Sequence, residues 1–161
     1  MNRLPTIVIV LMLLPLLGFG QLGRVPQAND LEYQTPPRSI FSTLELWLDT
    51  GDRPLAAYQI EIEAVAGDVR IVGLEGTEPG SVFADPPYYD PAVMQSERII
   101  IADFSTEAPE DLPAGRFRIA TIHLHVVGDV APEFQTKLTV AADADGTEIE
   151  AQLTTRPGPD R

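Results

Sequence analysis

Arg116-Phe-Arg-Ile-Ala-Thr-Ile-His-Leu-His-Val-Val127 decides the fold of this chain of 161 residues. Ala120, Ile122, Leu124 and Val126 recur at every second position, with Thr121, His123 and His125 between them. Successive side chains of a strand point to opposite faces, so this period of two describes a strand with one apolar and one polar side. It does not fit a helix of 3.6 residues per turn. The parity places Ile122 and Leu124 in a core and turns His123 and His125 toward solvent or a partner. A slip of one residue would bury both histidines and expose four apolar side chains, so the register is strongly specified.

The same alternation appears on both sides of this run. Leu44, Leu46 and Leu48 alternate with Thr43, Glu45 and Trp47, and Tyr58, Ile60, Ile62 and Ala64 alternate with Gln59, Glu61 and Glu63. Val69 to Leu74 and Ile99 to Phe104 are two more apolar runs of strand length. Toward the C-terminus, Phe134, Thr136, Leu138, Val140 and Ala142 predict one strand, and Ile149, Ala151 and Leu153 predict the last. Asp145-Gly146 between them suits the positive-φ positions of a tight hairpin. After residue 40 no apolar stripe at helical spacing exceeds one turn. Seven or more short, half-apolar strands separated by Gly, Pro and Asp clusters predict an all-β fold, an antiparallel, jelly-roll-like β-sandwich.

Composition limits the function. The chain holds 24 Asp+Glu against 11 Lys+Arg, a formal charge of −13, and a surface this acidic repels phosphate backbones and anionic headgroups, which argues against nucleic-acid binding. With no cysteine there is no disulfide, thiolate metal site or thiol nucleophile. Residues 1–20 carry a single charge at Arg3 and an apolar stretch from Leu4 to Phe19. That pattern predicts a signal peptide, with Gly18 and Gly20 before a cut at Gln21, or an uncleaved membrane anchor through residues 4–19. Either places the remainder outside the cytoplasm: secreted, periplasmic or at the cell surface. Residues 21–38, with Pro26, Pro36 and Pro37, read as a proline-containing tether. The sandwich is expected over 39–155 and a disordered tail over 156–161.

The order of segments from Leu44 to Ala151 resembles the cohesin domain of bacterial extracellular scaffolds. Gly51-Asp-Arg-Pro-Leu-Ala-Ala-Tyr-Gln-Ile-Glu-Ile-Glu63 is similar to that family's turn and following strand, and Gly80-Ser-Val-Phe-Ala84 to its short passage before a phenylalanine. Arg98-Ile-Ile-Ile-Ala-Asp-Phe104 resembles its central strand, Gly115 to Val126 its long late strand, and Asp143-Ala-Asp-Gly-Thr-Glu-Ile149 its last hairpin. The Tyr-Asp-Pro that usually ends the family's third strand is missing from Glu61 to Gly67 and occurs instead at Tyr89-Asp90-Pro91. The resemblance implies a nine-stranded sandwich related to carbohydrate-binding modules. It also implies a non-enzymatic binding or assembly role through protein–protein contact with another extracytoplasmic protein, dockerin-like or an envelope component; the alternatives are a carbohydrate-binding module and a structural or accessory subunit of a cell-envelope complex.

No residue set points to catalysis. Gly18-Phe-Gly-Gln-Leu-Gly23 matches the dinucleotide-binding spacing, but it straddles the end of the apolar leader, where no strand and helix flank it. His123 and His125 share a face and would reach one metal, yet no third histidine or cysteine completes a site. Asp143 to Ile149 echoes a calcium loop, but Ala141 stands at the first ligand position and Gln152 at the twelfth. The expectation is therefore no cofactor and no metal. Asp85-Pro-Pro-Tyr-Tyr-Asp-Pro91 is the most unusual stretch: two tyrosines among three prolines form a stiff loop that loses little entropy on binding. Tyr88 and Tyr89, for which covering the end of the sandwich is the favoured reading, and Trp47, on the polar parity of its strand and otherwise buried under the tether or a neighbouring loop, are the candidate contacts for a protein or a polysaccharide.

Overall fold

A computed structural model describes residues 36–77 and 81–159. The leader at 1–20, residues 21–35 of the tether, Gly80 and the last two residues lie outside the described residues. Eight strands follow in order: β1 (Ser39–Asp49), β2 (Ala57–Ala66), β3 (Asp68–Glu75), β4 (Tyr88–Tyr89), β5 (Arg98–Phe104), β6 (Arg116–Val127), β7 (Glu133–Ala142) and β8 (Gln152–Pro157). Two single 3₁₀ turns, Pro91–Val93 and Pro109–Asp111, are the only helical pieces among the described residues. The strands form two four-stranded sheets, ordered β3-β6-β1-β8 and β4-β5-β2-β7, and every pairing is antiparallel. This is the expected β-sandwich, with eight strands described where the resemblance implied nine.

The alternating residues make the core. Leu46, Leu48, Ile119 and Ile122 of the first sheet and Ile60, Ile62, Ile99 and Ile101 of the second are all buried in one cluster. Each such side chain withdrawn from water stabilises the fold by about 1.5–3 kcal/mol. Ile122 and Leu124 are buried, while His123 and His125 lie half-buried on the outer side of β6, so the register read from the sequence holds.

Departures from simple alternation occur at β-bulges, where one strand carries an extra residue and the facing pattern is re-aimed. Between β1 and β6, Leu46 pairs with Ala120 and Trp47 with Arg118, which leaves Ile119 as the extra residue and produces four consecutive buried positions, Ile119 to Ile122. Between β2 and β7, Ile60 pairs with Leu138 and Gln59 with Val140, so Thr139 is extra. The expected inward row through Val140 and Ala142 is corrected at this point: Val140 turns outward and Ala141 becomes the buried residue.

The last tight turn forms at Asp145-Gly146 as expected, and the correction concerns the strand that follows it. Gly146 adopts φ +76 in a turn in which Asp143 Oδ1 accepts the N–H groups of Asp145 and Thr147 at 3.1 and 2.9 Å. The Arg53 guanidinium lies 2.9 Å from Asp143 Oδ2. These hydrogen bonds, with the guanidinium beside them, hold the Asp143 carboxyl below the usual aspartate range. The two arms of this turn are joined by the Asp143 N–H to Thr147 O and Ile149 N–H to Ala141 O hydrogen bonds around the Ala142–Glu148 bridge, and the chain then crosses to the other sheet, where β8 pairs with β1. Ile149 is buried and Ala151 and Leu153 half-buried, as expected, but the strand proper begins at Gln152. It also runs past the expected end of the sandwich at residue 155: Arg156 and Pro157 pair with Glu45 and Leu44, and Gly158 N–H donates to Thr43 O at 2.9 Å.

Candidate functional site

Residues on the outer side of the second sheet line up in rows across the strands, because its registers are in phase. One row runs Tyr88, Ala102, Gln59, Val140, and the next joins Phe104 to Ala57. Ile100, Glu61 and Lys137 form a third row, and Arg98, Glu63 and Gln135 a fourth. The first two rows are largely apolar and the last two mostly charged. Tyr88 and Phe104 are 60% and 58% exposed, and their rings stack at 6.0 Å between centroids and 15° between planes. Ile100 and Val140, at 39% and 40%, widen the apolar ground. Beside it Arg98 Nε donates to Glu61 Oε1 at 2.6 Å, which holds the Glu61 carboxyl below its ordinary range. An aromatic centre bordered by charged side chains is the anatomy of a protein-binding patch.

The two tyrosines of the Pro-Pro-Tyr-Tyr stretch part company here. They form β4, paired with Ala102 and Ile101 of β5, so strand alternation turns Tyr88 outward and Tyr89 inward. Tyr89 packs against the core cluster and covers it. Trp47 lies on the other sheet, half-buried on the outer side of β1. Its Nε1–H donates to Glu45 Oε2 at 2.9 Å, and the guanidinium carbons of Arg156 and Arg116 stand 5.1 and 5.8 Å from its ring centroid. Glu45 in turn reaches Arg118 at 3.5 Å. Trp47 thus joins β1, β6 and β8 through cation–π contacts instead of presenting a bare ring.

The structure therefore does not bring the three sequence candidates together. Tyr88 keeps company with Phe104, Ile100 and Val140, none of which the sequence reading singled out. Phe104 shares the parity of Ile100 and Ala102, and that pattern is the available signal. It is masked by the unbroken run Ile99 to Ile101, in which apolar side chains occupy both faces.

The histidines have separate partners. His123 Nε2 is 2.9 Å from Glu75 Oε1, and His125 Nε2 shares a hydrogen bond with Ser39 Oγ at 2.6 Å while its ring stacks on Phe41 at 5.0 Å. Gly73 fits against His123, since a Cβ there would lie 3.3 Å from the histidine Cβ.

No family model and no curated protein matches this chain. Among solved structures it is similar to one chain of the crystal structure of a dockerin–cohesin complex, CaDoc0917 with CaCohA2. The match has a TM-score of 0.50 at 10% identity and covers 73% of this chain and 85% of that one. At that identity the likeness is one of fold, a cohesin-like β-sandwich.

Proposed function

We propose that this chain is a non-enzymatic binding module that joins a protein partner through the outer face of its second sheet. The stacked pair Tyr88 and Phe104 carries the reading. Two large rings more than half exposed, side by side on a rigid sheet and extended by Ile100 and Val140, form the kind of apolar patch that marks an interaction site. Aromatic side chains held in place before binding lose little entropy and dominate interface energetics. The likeness in fold to a chain from a dockerin–cohesin complex supports a protein partner, and a dockerin-type module is the specific form proposed. The apolar leader supports action outside the cytoplasm, whether as a secreted, a periplasmic or a membrane-tethered protein.

Calorimetric titration of the purified protein against a panel of dockerin-type modules, with a glycan array run in parallel, tests the proposal. Saturable binding of at least one module without glycan binding is expected. Glycan binding alone would overturn the protein-binding reading and leave a carbohydrate-binding module that stacks sugar rings on Tyr88 and Phe104.

A further inference from the structure

Among the described residues, the edge of the second sheet farthest from Tyr88 is open. β7 pairs with β2 along one flank, and on its other flank Ala141 O accepts the Ile149 N–H at 2.9 Å beside the single Ala142–Glu148 bridge. From Glu133 to Val140 no strand lies against that flank among the described residues. Alternation identifies the groups left over. Ala64 N–H bonds Glu97 O on the β5 side, so Ile62 and Ile60 also turn their backbone toward β5, while Glu63 and Glu61 turn theirs toward β7. Their partners Gln135 and Lys137 are thereby used, and Phe134, Thr136 and Leu138 aim N–H and C=O groups outward. Next to this edge a groove of about 1150 Å³ separates Leu138–Ala141 from Glu148–Gln152. Leu138 and Ile149 give it an apolar wall, and Asp49, Glu148 and Glu150 ring it with negative charge. Arg53, the one cation among its described lining residues, is paired with Asp143.

We propose that this edge accepts an extended segment of another protein as an added strand, with apolar and basic side chains alternating along it. The chain's own residues 148–149 begin such a pairing and then leave for the other sheet, so the edge has the geometry to accept a strand. Main-chain hydrogen bonds would supply the attachment and alternate side chains the selectivity. The acidic rim selects basic side chains, and a formal charge of −13 disfavours a second copy of this chain in the same place. The stacked rings Tyr88 and Phe104 lie on β4 and β5, away from this edge, and Val140 of β7 is the residue that the aromatic rows and the groove share.

The probe is an octapeptide of alternating lysine and valine, followed by amide NMR of the protein. Binding should shift the amides of Phe134, Thr136 and Leu138 and slow their exchange about tenfold, a change of about 1.4 kcal/mol. Two further peptides, N-methylated on all valines or on all lysines, should differ: one set of methyl groups abolishes binding and the other leaves it intact. A glutamate–valine peptide, or a Glu148→Lys, Glu150→Lys variant with unchanged melting temperature, should bind about tenfold more weakly. Absence of saturable binding at millimolar peptide, equal tolerance of both methylation patterns, or shifts confined to other strands would overturn the proposal. Protection of the same amides by self-association without peptide would also overturn it, by making a second copy the occupant.

Discussion

Asp103 lies on the inner side of β5 directly across from Tyr58 of β2, and both are buried. Its Oδ1 accepts the Phe104 N–H at 2.8 Å and the Ala84 N–H also acts on the carboxyl, while among the described residues Oδ2 and the Tyr58 hydroxyl have no close hydrogen-bond partner. Burial pushes the Asp103 carboxyl above its ordinary range, and burial together with the Asp103 charge pushes the Tyr58 phenol upward. A carboxyl whose pKa is raised by folding binds its proton more tightly in the folded state, so it destabilises the fold increasingly as pH climbs above the ordinary aspartate value of about 4. Asp103→Asn should therefore stabilise the protein at pH 7 by on the order of 1 kcal/mol. The gain should shrink as pH falls toward 4, and thermal melts at several pH values would show it. A second pair of substitutions checks the β6 register. Leu124→Ala should cost about 2–5 kcal/mol, while His125→Ala, which removes only a Ser39 contact and the Phe41 stack, should cost far less. At this scale the sequence was readable wherever polar and apolar residues alternate, as in β6. The signal for Phe104 is hidden by the apolar run Ile99 to Ile101, and its stacking partner Tyr88 lies sixteen positions away in the chain.

At the scale of elements, β2 and β7 differ in how much a deletion should matter. Thr139 is the bulged residue of β7, so deleting it joins inward Leu138 to outward Val140 and leaves both faces as they are. That variant should fold with a melting temperature within about 5 °C of the parent, a loss of roughly 1 kcal/mol. Glu61 lies in the part of β2 that has no bulge against β5, and deleting it would drive either Tyr58 and Ile60 or Ile62 out of the core. The Glu61 deletion should fail to fold, as judged by loss of the cooperative melt. Bulges also explain where sequence reading of the elements broke down. The strands at Leu44 to Leu48 and Tyr58 to Ala64 alternate cleanly and were legible. The tight turn at Asp145-Gly146 forms as expected, but the inward row through Val140 and the pairing of the last strand with β1 differ from the sequence reading, because nothing local announces an extra residue or a crossing from one sheet to the other. The Arg156–Pro157 pairing escaped for a similar reason: those residues bury little and are held by backbone hydrogen bonds to β1.

For the molecule as a whole, the two sheets divide the work. The first carries Trp47, its arginines and the two histidines in contacts that tie strands to one another. It also exposes Phe41, at 77%, but as a single phenylalanine stacked on His125, whereas the second sheet holds two large rings, Tyr88 and Phe104, stacked on each other and both more than half exposed. That difference is the ground for placing partner binding on the second sheet, and it is a property of tertiary structure: β4 is two residues long and acquires its meaning only by lying against β5. The most direct test is the affinity of the Tyr88→Ala, Phe104→Ala double variant for whichever module binds the parent protein, measured by calorimetry beside a thermal melt. The account predicts a loss of at least about 2 kcal/mol, roughly thirtyfold in Kd, with a melting temperature close to that of the parent. Unchanged affinity in the double variant, or a melting temperature that collapses while binding persists, would contradict it.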